Sequence, residues 1–248
     1  MHVGEIKVRL DGSVNQEVQF WQWVTYDALS EMYRDGELRR RPRVGLQKVE
    51  GEENTRRTDI TFYYPSKYSY KDVVDVVRMK MDIINEYSAV SSEAGGYAET
   101  VIAEALVRAE FEVIDRNTKT FEGRTWEGVH DLDFVVNGRR EGRSYGIQVK
   151  NTMTYPDWDD VASLIDICDC LRLVPWFVSR TLPGDYSYDV YESGGFYTLF
   201  NKWLLPEKYW ELGKRMVEKL GQPVFLSGEE ALRFLVGELG KVHRYAGH

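Results

Sequence analysis

Apolar side chains recur along this chain at two spacings, every third or fourth residue in some stretches and every second residue in others. The first is the period of an α-helix with one buried face, the second that of a β-strand. The clearest helical stretch covers residues 96–110, where Ala98, Val101, Ile102, Ala105, Leu106 and Ala109 form one stripe. At about 100° per residue Glu99 falls at the edge of that stripe, whereas Glu104 turns further toward solvent. Similar spacing predicts helices over 18–33, ended by Gly36, and over 71–87, 161–171, 207–220 and 229–243. Strands are expected over 3–10, over 60–64 with Pro65 closing it, and over 111–114, 174–179 and 196–200, with a short buried strand over 223–226. Residues 50–57, 115–129 and 151–159 are polar and read as loops or hairpin tips.

One pair of alternating stretches differs from the rest, because charged residues share a strand with the apolar ones. In residues 130–138 alternation places Asp131, Asp133 and Val135 on one face and Leu132, Phe134 and Val136 on the other. In residues 145–151 Tyr145, Ile147 and Val149 share a face, with Gln148 and Lys150 opposite. Asn137-Gly138 marks the turn between them. If the polar faces coincide, a carboxylate, an amide and an ammonium converge at the end of a hairpin whose other side is apolar.

Small and polar residues at 88–96 place a domain boundary near there. The reading is a small N-terminal α/β accessory domain, 1–90, arranged helix-then-hairpin in the manner of a winged helix and serving substrate or partner recognition. A second domain, 91–248, carries a C-terminal helical extension. The fold class expected is mixed α/β.

With 248 residues, 43% hydrophobic and 13% aromatic, the chain is long and apolar enough for one large or two smaller packed domains, which excludes a disordered chain. No apolar run approaches the roughly 20 residues that cross a bilayer, and the first residues lack a basic-then-apolar signal pattern, so a soluble cytoplasmic protein is expected. Cys168 and Cys170 lie two apart in a predicted helix and point to different faces, which suits core packing better than a disulfide or a zinc pair. The net charge of -8 argues against bulk coating of nucleic acid but leaves room for local basic faces. Such clusters occur at Arg39-Arg40-Arg41-Pro42-Arg43, at Arg56-Arg57, and at Arg139, Arg140 and Arg143 on the central hairpin, each also readable as a solvated loop.

The order of motifs resembles the PD-(D/E)XK nuclease superfamily, and within it the archaeal Holliday-junction resolvases and their restriction-endonuclease-like relatives. The matching residues are Ala98-Glu99 on a helix, then Asp133-Phe134-Val135-Val136-Asn137-Gly138, then Ile147-Gln148-Val149-Lys150, over residues 95–180. The resemblance implies a restriction-endonuclease-like core, a central mixed β-sheet flanked by helices, and metal-dependent endonuclease activity on duplex or branched DNA. It implies Mg²⁺ or Mn²⁺ held by Asp133, Glu99, the Gln148 amide oxygen and the Val149 carbonyl, with Lys150 handling the attacking water or the phosphate. Oxygen donors suit such hard cations, and phosphodiester hydrolysis needs the charge neutralisation and water activation they supply. Gln148 stands where many members carry Glu, and the Pro-Asp pair is absent, since Leu132 precedes Asp133. Asp131, on the face of Asp133, reads as a group that supports the ligands, as an alternative ligand or equally as a solvated strand-end acid, and His130 as a loop histidine. Arg139, Arg140 and Arg143, with Arg39, Arg40 and Arg41, are the expected nucleic-acid contacts, DNA the expected partner, no membrane contact is expected, and a homodimer follows by analogy. The rival readings are a nuclease-fold DNA-binding protein with weak or no catalysis, and an assembly subunit using surfaces around Trp21, Trp23, Trp203 and Trp210.

Overall fold

The computed structural model describes residues 22–45, 59–152 and 155–246. The strand expected over 3–10, the loop over 50–57 and the arginines Arg56 and Arg57 lie outside these residues. In chain order the described elements begin with α1 (Gln22–Arg34), the antiparallel pair β1 (Leu38–Gly45) and β2 (Asp59–Pro65), and α2 (Tyr70–Arg108). Next come β3 (Phe111–Thr118), a small ribbon of β4 (Thr120–Phe121) and β5 (Arg124–Thr125), and the hairpin strands β6 (Leu132–Gly138) and β7 (Ser144–Lys150). Then α3 (Trp158–Leu171), β8 (Val174–Ser179), α4 (Gly184–Glu192), β9 (Phe196–Leu199), α5 (Trp210–Arg215) followed by a π-turn at Met216–Leu220, α6 (Gly228–Leu239) and α7 (Val242–Ala246) complete the order.

The chain divides into two compact units, one of residues up to Ser92 with Tyr209–Val224, the other of Glu93–Lys208 with the residues from Phe225 on. In the first unit, α1 ends at Gly36, whose φ of 79° is a conformation that costs glycine least. The basic run, open to reading as a loop, is strand: Arg39, Arg40 and Arg41 pair with Tyr64, Tyr63 and Phe62. Pro42 falls where the register shifts between Arg41 and Val44, the kind of irregularity that tolerates a missing N–H. Arg40 lies over the Tyr33 ring and Arg41 over the Tyr70 ring, at 4.4 and 4.6 Å.

Two helices were expected across 71–110 with a break at 88–96, but α2 is one helix of 39 residues. Each glycine of Gly95-Gly96 costs about 1 kcal/mol of helix propensity. That cost is offset by Ala94 and Ala98, both 0% exposed, on either side of the pair. The serines that suggested a loop instead donate to their own helix, Ser88 to the Ile84 carbonyl and Ser91 to that of Ser88.

The second unit is built on a five-stranded mixed sheet in the order β3-β6-β7-β8-β9, antiparallel from β3 to β7 and parallel from β7 to β9. Parallel pairing needs a crossover, which α3 and α4 provide. One apolar core joins the Ala98–Ala109 stripe of α2, Phe134, Val136, Tyr145, Ile147, Val149, Trp176 and α6. The other joins Leu132, Val135, α3, Phe177 and Val190 of α4. Helices therefore cover both faces, which corrects the expectation of a hairpin with a polar face. Val135, on the same predicted face as Asp133, is 0% exposed, and Leu132 packs with it rather than with Phe134 and Val136. The exposed polar run of the sheet, Asp115-Arg116-Asn117, lies on the edge strand β3.

Three further expectations change. Asn137-Gly138 is the last part of β6, and the turn is the five residues 139–143, with Gly142 at φ 66°. Residues 223–226 form no strand; Phe225 instead donates its N–H to the Trp203 carbonyl. The segment 184–192 had no assigned element and is α4, whose Val190 is its one fully buried apolar residue. Among the described residues no helix is long and apolar enough to cross a membrane.

Candidate active site where β6 and β7 part

The β6–β7 ladder runs from Asn137 opposite Ser144 to Phe134 opposite Ile147 and stops there. One residue further the strands separate, and the Asp133 side chain takes over the pairing. Its Oδ2 accepts the Val149 N–H at 2.5 Å and the Gln148 side-chain amide at 2.8 Å. The apolar residues behind it, Ile147 and Val149 on one core and Val135 on the other, hold this strand end in place.

Glu99 reaches the same place from α2, half-buried at the edge of its apolar stripe. Burial pushes the Asp133 carboxyl up to about 7; the Val149 hydrogen bond and Lys150 oppose that, and the charges of Glu99 and Asp131 add to it. The Glu99 carboxyl is also raised, first by burial and then by Asp131, against Arg116 and Lys150. Three carboxylates and two cations thus share one electrostatic neighbourhood. Burial is the first cause at both Asp133 and Glu99, and the cations oppose it.

Lys150, the last residue of β7, gives its Nζ to Asp160 at 2.8 Å. Asp160 is the third residue of α3, and its other oxygen accepts the Asp157 N–H at 3.1 Å, closing a capping box. Asn151, 5% exposed, bolts the chain just past Lys150. Its amide donates to the Ala94 and Leu204 carbonyls and accepts the Leu204 N–H. Arg180, buried at the end of β8, donates to the Thr152 carbonyl and lies over the Trp203 ring at 4.4 Å.

The structure thus brings together Glu99, Asp133, Gln148 and the Val149 backbone, with Lys150 adjoining. Asp131 and His130 are exposed. Arg139, Arg140 and Arg143 sit at the opposite end of the hairpin, about 17 Å from Asp133 for five residues of strand. Arg140 is committed to Glu110 at 2.5 Å. Arg39, Arg40 and Arg41 belong to the first unit. Trp203 is fully buried, which removes it from any interaction surface; Trp210 is half-buried, and Trp21 and the Trp23 side chain lie outside the described residues.

Sequence reasoning missed Asp160 and Arg116. Asp157 and Asp160, at capping-box spacing before an apolar helix, were a usable signal for the first. Arg116 lay in a stretch read as loop but belongs to β3, opposite Phe134.

No family model, curated protein or solved structure matches the chain. Among the described residues no group of three or more His, Cys, Asp or Glu side chains is arranged to hold a metal ion. The expected donor set contains two carboxylates, an amide and a carbonyl, all hard oxygens that fit magnesium or manganese in type. The Gln148 amide presents its nitrogen to Asp133, and a half-turn of that amide presents its oxygen instead. Two oxygens facing each other there repel unless a cation lies between them.

Proposed function

We propose that this chain is a divalent-metal-dependent endodeoxyribonuclease with a restriction-endonuclease-like core of the PD-(D/E)XK kind. Support comes from the order helix, three antiparallel strands, crossover helix and parallel strand from α2 to β8. The observation that carries the reading is the gathering of Glu99, Asp133 and Gln148 where β6 and β7 part. Asp133, Glu99, the Gln148 oxygen and the Val149 carbonyl are the residues that would hold the cation. When bound, Mg²⁺ or Mn²⁺ supplies Lewis acidity toward a phosphate oxygen and an activated water. Lys150, aimed by Asp160, orients that water or neutralises the phosphate. Arg139 and Arg143 of the 139–143 turn grip the backbone away from the scissile bond, and the arginines of β1 give the first unit a basic strand of its own for DNA. A cytoplasmic homodimer, with one site for each strand, completes the proposal.

A second reading, a DNA-binding protein of this fold with little catalysis, is favoured by one observation. Gln148 turns a donor rather than an acceptor toward Asp133. The two readings separate in one experiment, in which pure protein is incubated with supercoiled plasmid and four-way-junction DNA in Mg²⁺ or Mn²⁺. The nuclease reading expects nicking or cutting that Asp133→Ala and Lys150→Ala each lower by about 100-fold or more. Binding without cutting, and without an Asp133-dependent Mn²⁺ heat in calorimetry, selects the second reading. Equal cutting by all three proteins sinks the first.

A further inference from the structure

Two cations act on the carboxylates of this site, Arg116 on Glu99 and Lys150 on both Glu99 and Asp133. They are held very differently. Lys150 is only about a quarter exposed and already in an ion pair with Asp160. Arg116 stands exposed on β3, the edge strand of the sheet, paired with Phe134, the residue that follows Asp133, and its charge acts on Glu99. Its guanidinium lies 5.5 Å from the Phe134 ring centre, and among the described residues it makes no ion pair and no side-chain hydrogen bond. Its backbone is fixed by the β3–β6 ladder, with the Arg116 N–H also bonded to the Asp115 carboxylate. An aromatic ring beneath a guanidinium restrains it without using up its N–H donors.

We infer that Arg116 is a phosphate-binding residue of this site, contacting a backbone phosphate next to the scissile one on a DNA strand that passes along the β3 edge. This deepens the nuclease reading and rests on it. Three features favour a phosphodiester over a free carboxylate or a nucleobase. The guanidinium offers a planar pair of donors that matches two phosphate oxygens, it is accessible at a sheet edge, and it sits beside carboxylates that otherwise repel a polyanion. Arg139 and Arg143 lie at the far end of the same hairpin, so a strand can meet basic groups at both ends of β6.

The test uses the full chain and a fluorescein-labelled 20-base-pair duplex, with anisotropy read in calcium and cleavage read in magnesium. Arg116→Ala is expected to weaken binding about tenfold, to raise KM more than it lowers kcat, and to make the slope of log affinity against log salt shallower by about 1. Arg116→Lys, which keeps the charge and loses the fork, is expected to fall between. Arg233→Ala, at an exposed α6 position paired with Glu229, is the control and is expected to match wild type. Manganese affinity of Arg116→Ala should be equal to or tighter than that of wild type, since a neighbouring positive charge has gone. Binding within twofold of wild type with an unchanged slope overturns the inference while leaving the nuclease reading standing. So does a parallel loss of manganese and DNA binding, which would mean that Arg116 acts through Glu99. A wild-type protein that neither binds nor cuts DNA removes the reading itself, and the inference with it.

Discussion

At Asp133 two demands on one carboxylate conflict. Hydrogen bonds from Val149 and Gln148 favour the ionised form, while burial and the charges of Glu99 and Asp131 disfavour it, and the second group wins. The carboxyl is pushed from an ordinary 3.8 up to about 7. Between those values the folded chain holds a proton that the unfolded chain has released, so stability falls as pH rises through that window. Asp133→Asn keeps the shape and removes the charge. Thermal melts without metal should therefore show the variant more stable than wild type at pH 8, by about 2–4 kcal/mol, with the gap closing below pH 4. A variant no more stable than wild type at pH 8 would show that the carboxylate is not under this strain. A buried carboxyl that weakens the fold at neutral pH is what the proposed cation site requires, since a bound cation would relieve that cost.

At the level of elements, the sheet depends on places where no side chain fits. A Cβ on Gly195, just before β9, would lie 2.5 Å from the Pro175 carbonyl and 2.9 Å from that of Val190. On Gly146, in the middle of β7, it would lie 2.6 Å from the Cys168 sulfur and 2.9 Å from a Leu132 methyl. Side chains can shift and backbone carbonyls of packed elements cannot, so Gly195→Ala should cost more than Gly146→Ala. We expect about 3 kcal/mol against about 1–2 kcal/mol in denaturant melts, and the reverse order would show that β9 yields more readily than α3. The same elements mark what the sequence made legible. Period-two and period-3.6 spacing placed β6, β7, β8, α3 and the buried stripe of α2, and with them Glu99, Asp133 and Gln148. Ser88, Ser91, Gly95 and Gly96 spoke locally for a break, and the burial of Ala94 and Ala98 overrode them. Arg116 was obscured because most of β3 faces outward, leaving no apolar alternation past Ile114. The pairing of Lys150 with Asp160 joins residues ten apart across a chain reversal, which no periodicity reports.

At the scale of the whole molecule, a chain of net charge -8 can hold DNA only through local cations, and their number sets a measurable quantity. Each phosphate neutralised on a duplex contributes about -0.9 to the slope of log affinity against log salt. In the second unit Arg116, Arg139 and Arg143 are exposed and form no ion pair among the described residues, whereas Arg140 is spent on Glu110. In the first unit Arg39, Arg40 and Arg41 are exposed, the last two resting on tyrosine rings. If only the second unit meets the duplex the slope should be near -3, and contact by β1 as well carries it toward -5. Removing Arg139 and Arg143 together should make it shallower by about 2, because those side chains release no partner when they bind. Arg140→Ala should change it far less, since its guanidinium is already held by Glu110 and is not free to neutralise a phosphate. A slope steeper than about -8 would require more contacts than these residues provide. A slope near zero would leave the arginines out of the interface and return them to the solvated surface that the overall acidity of the chain suggests.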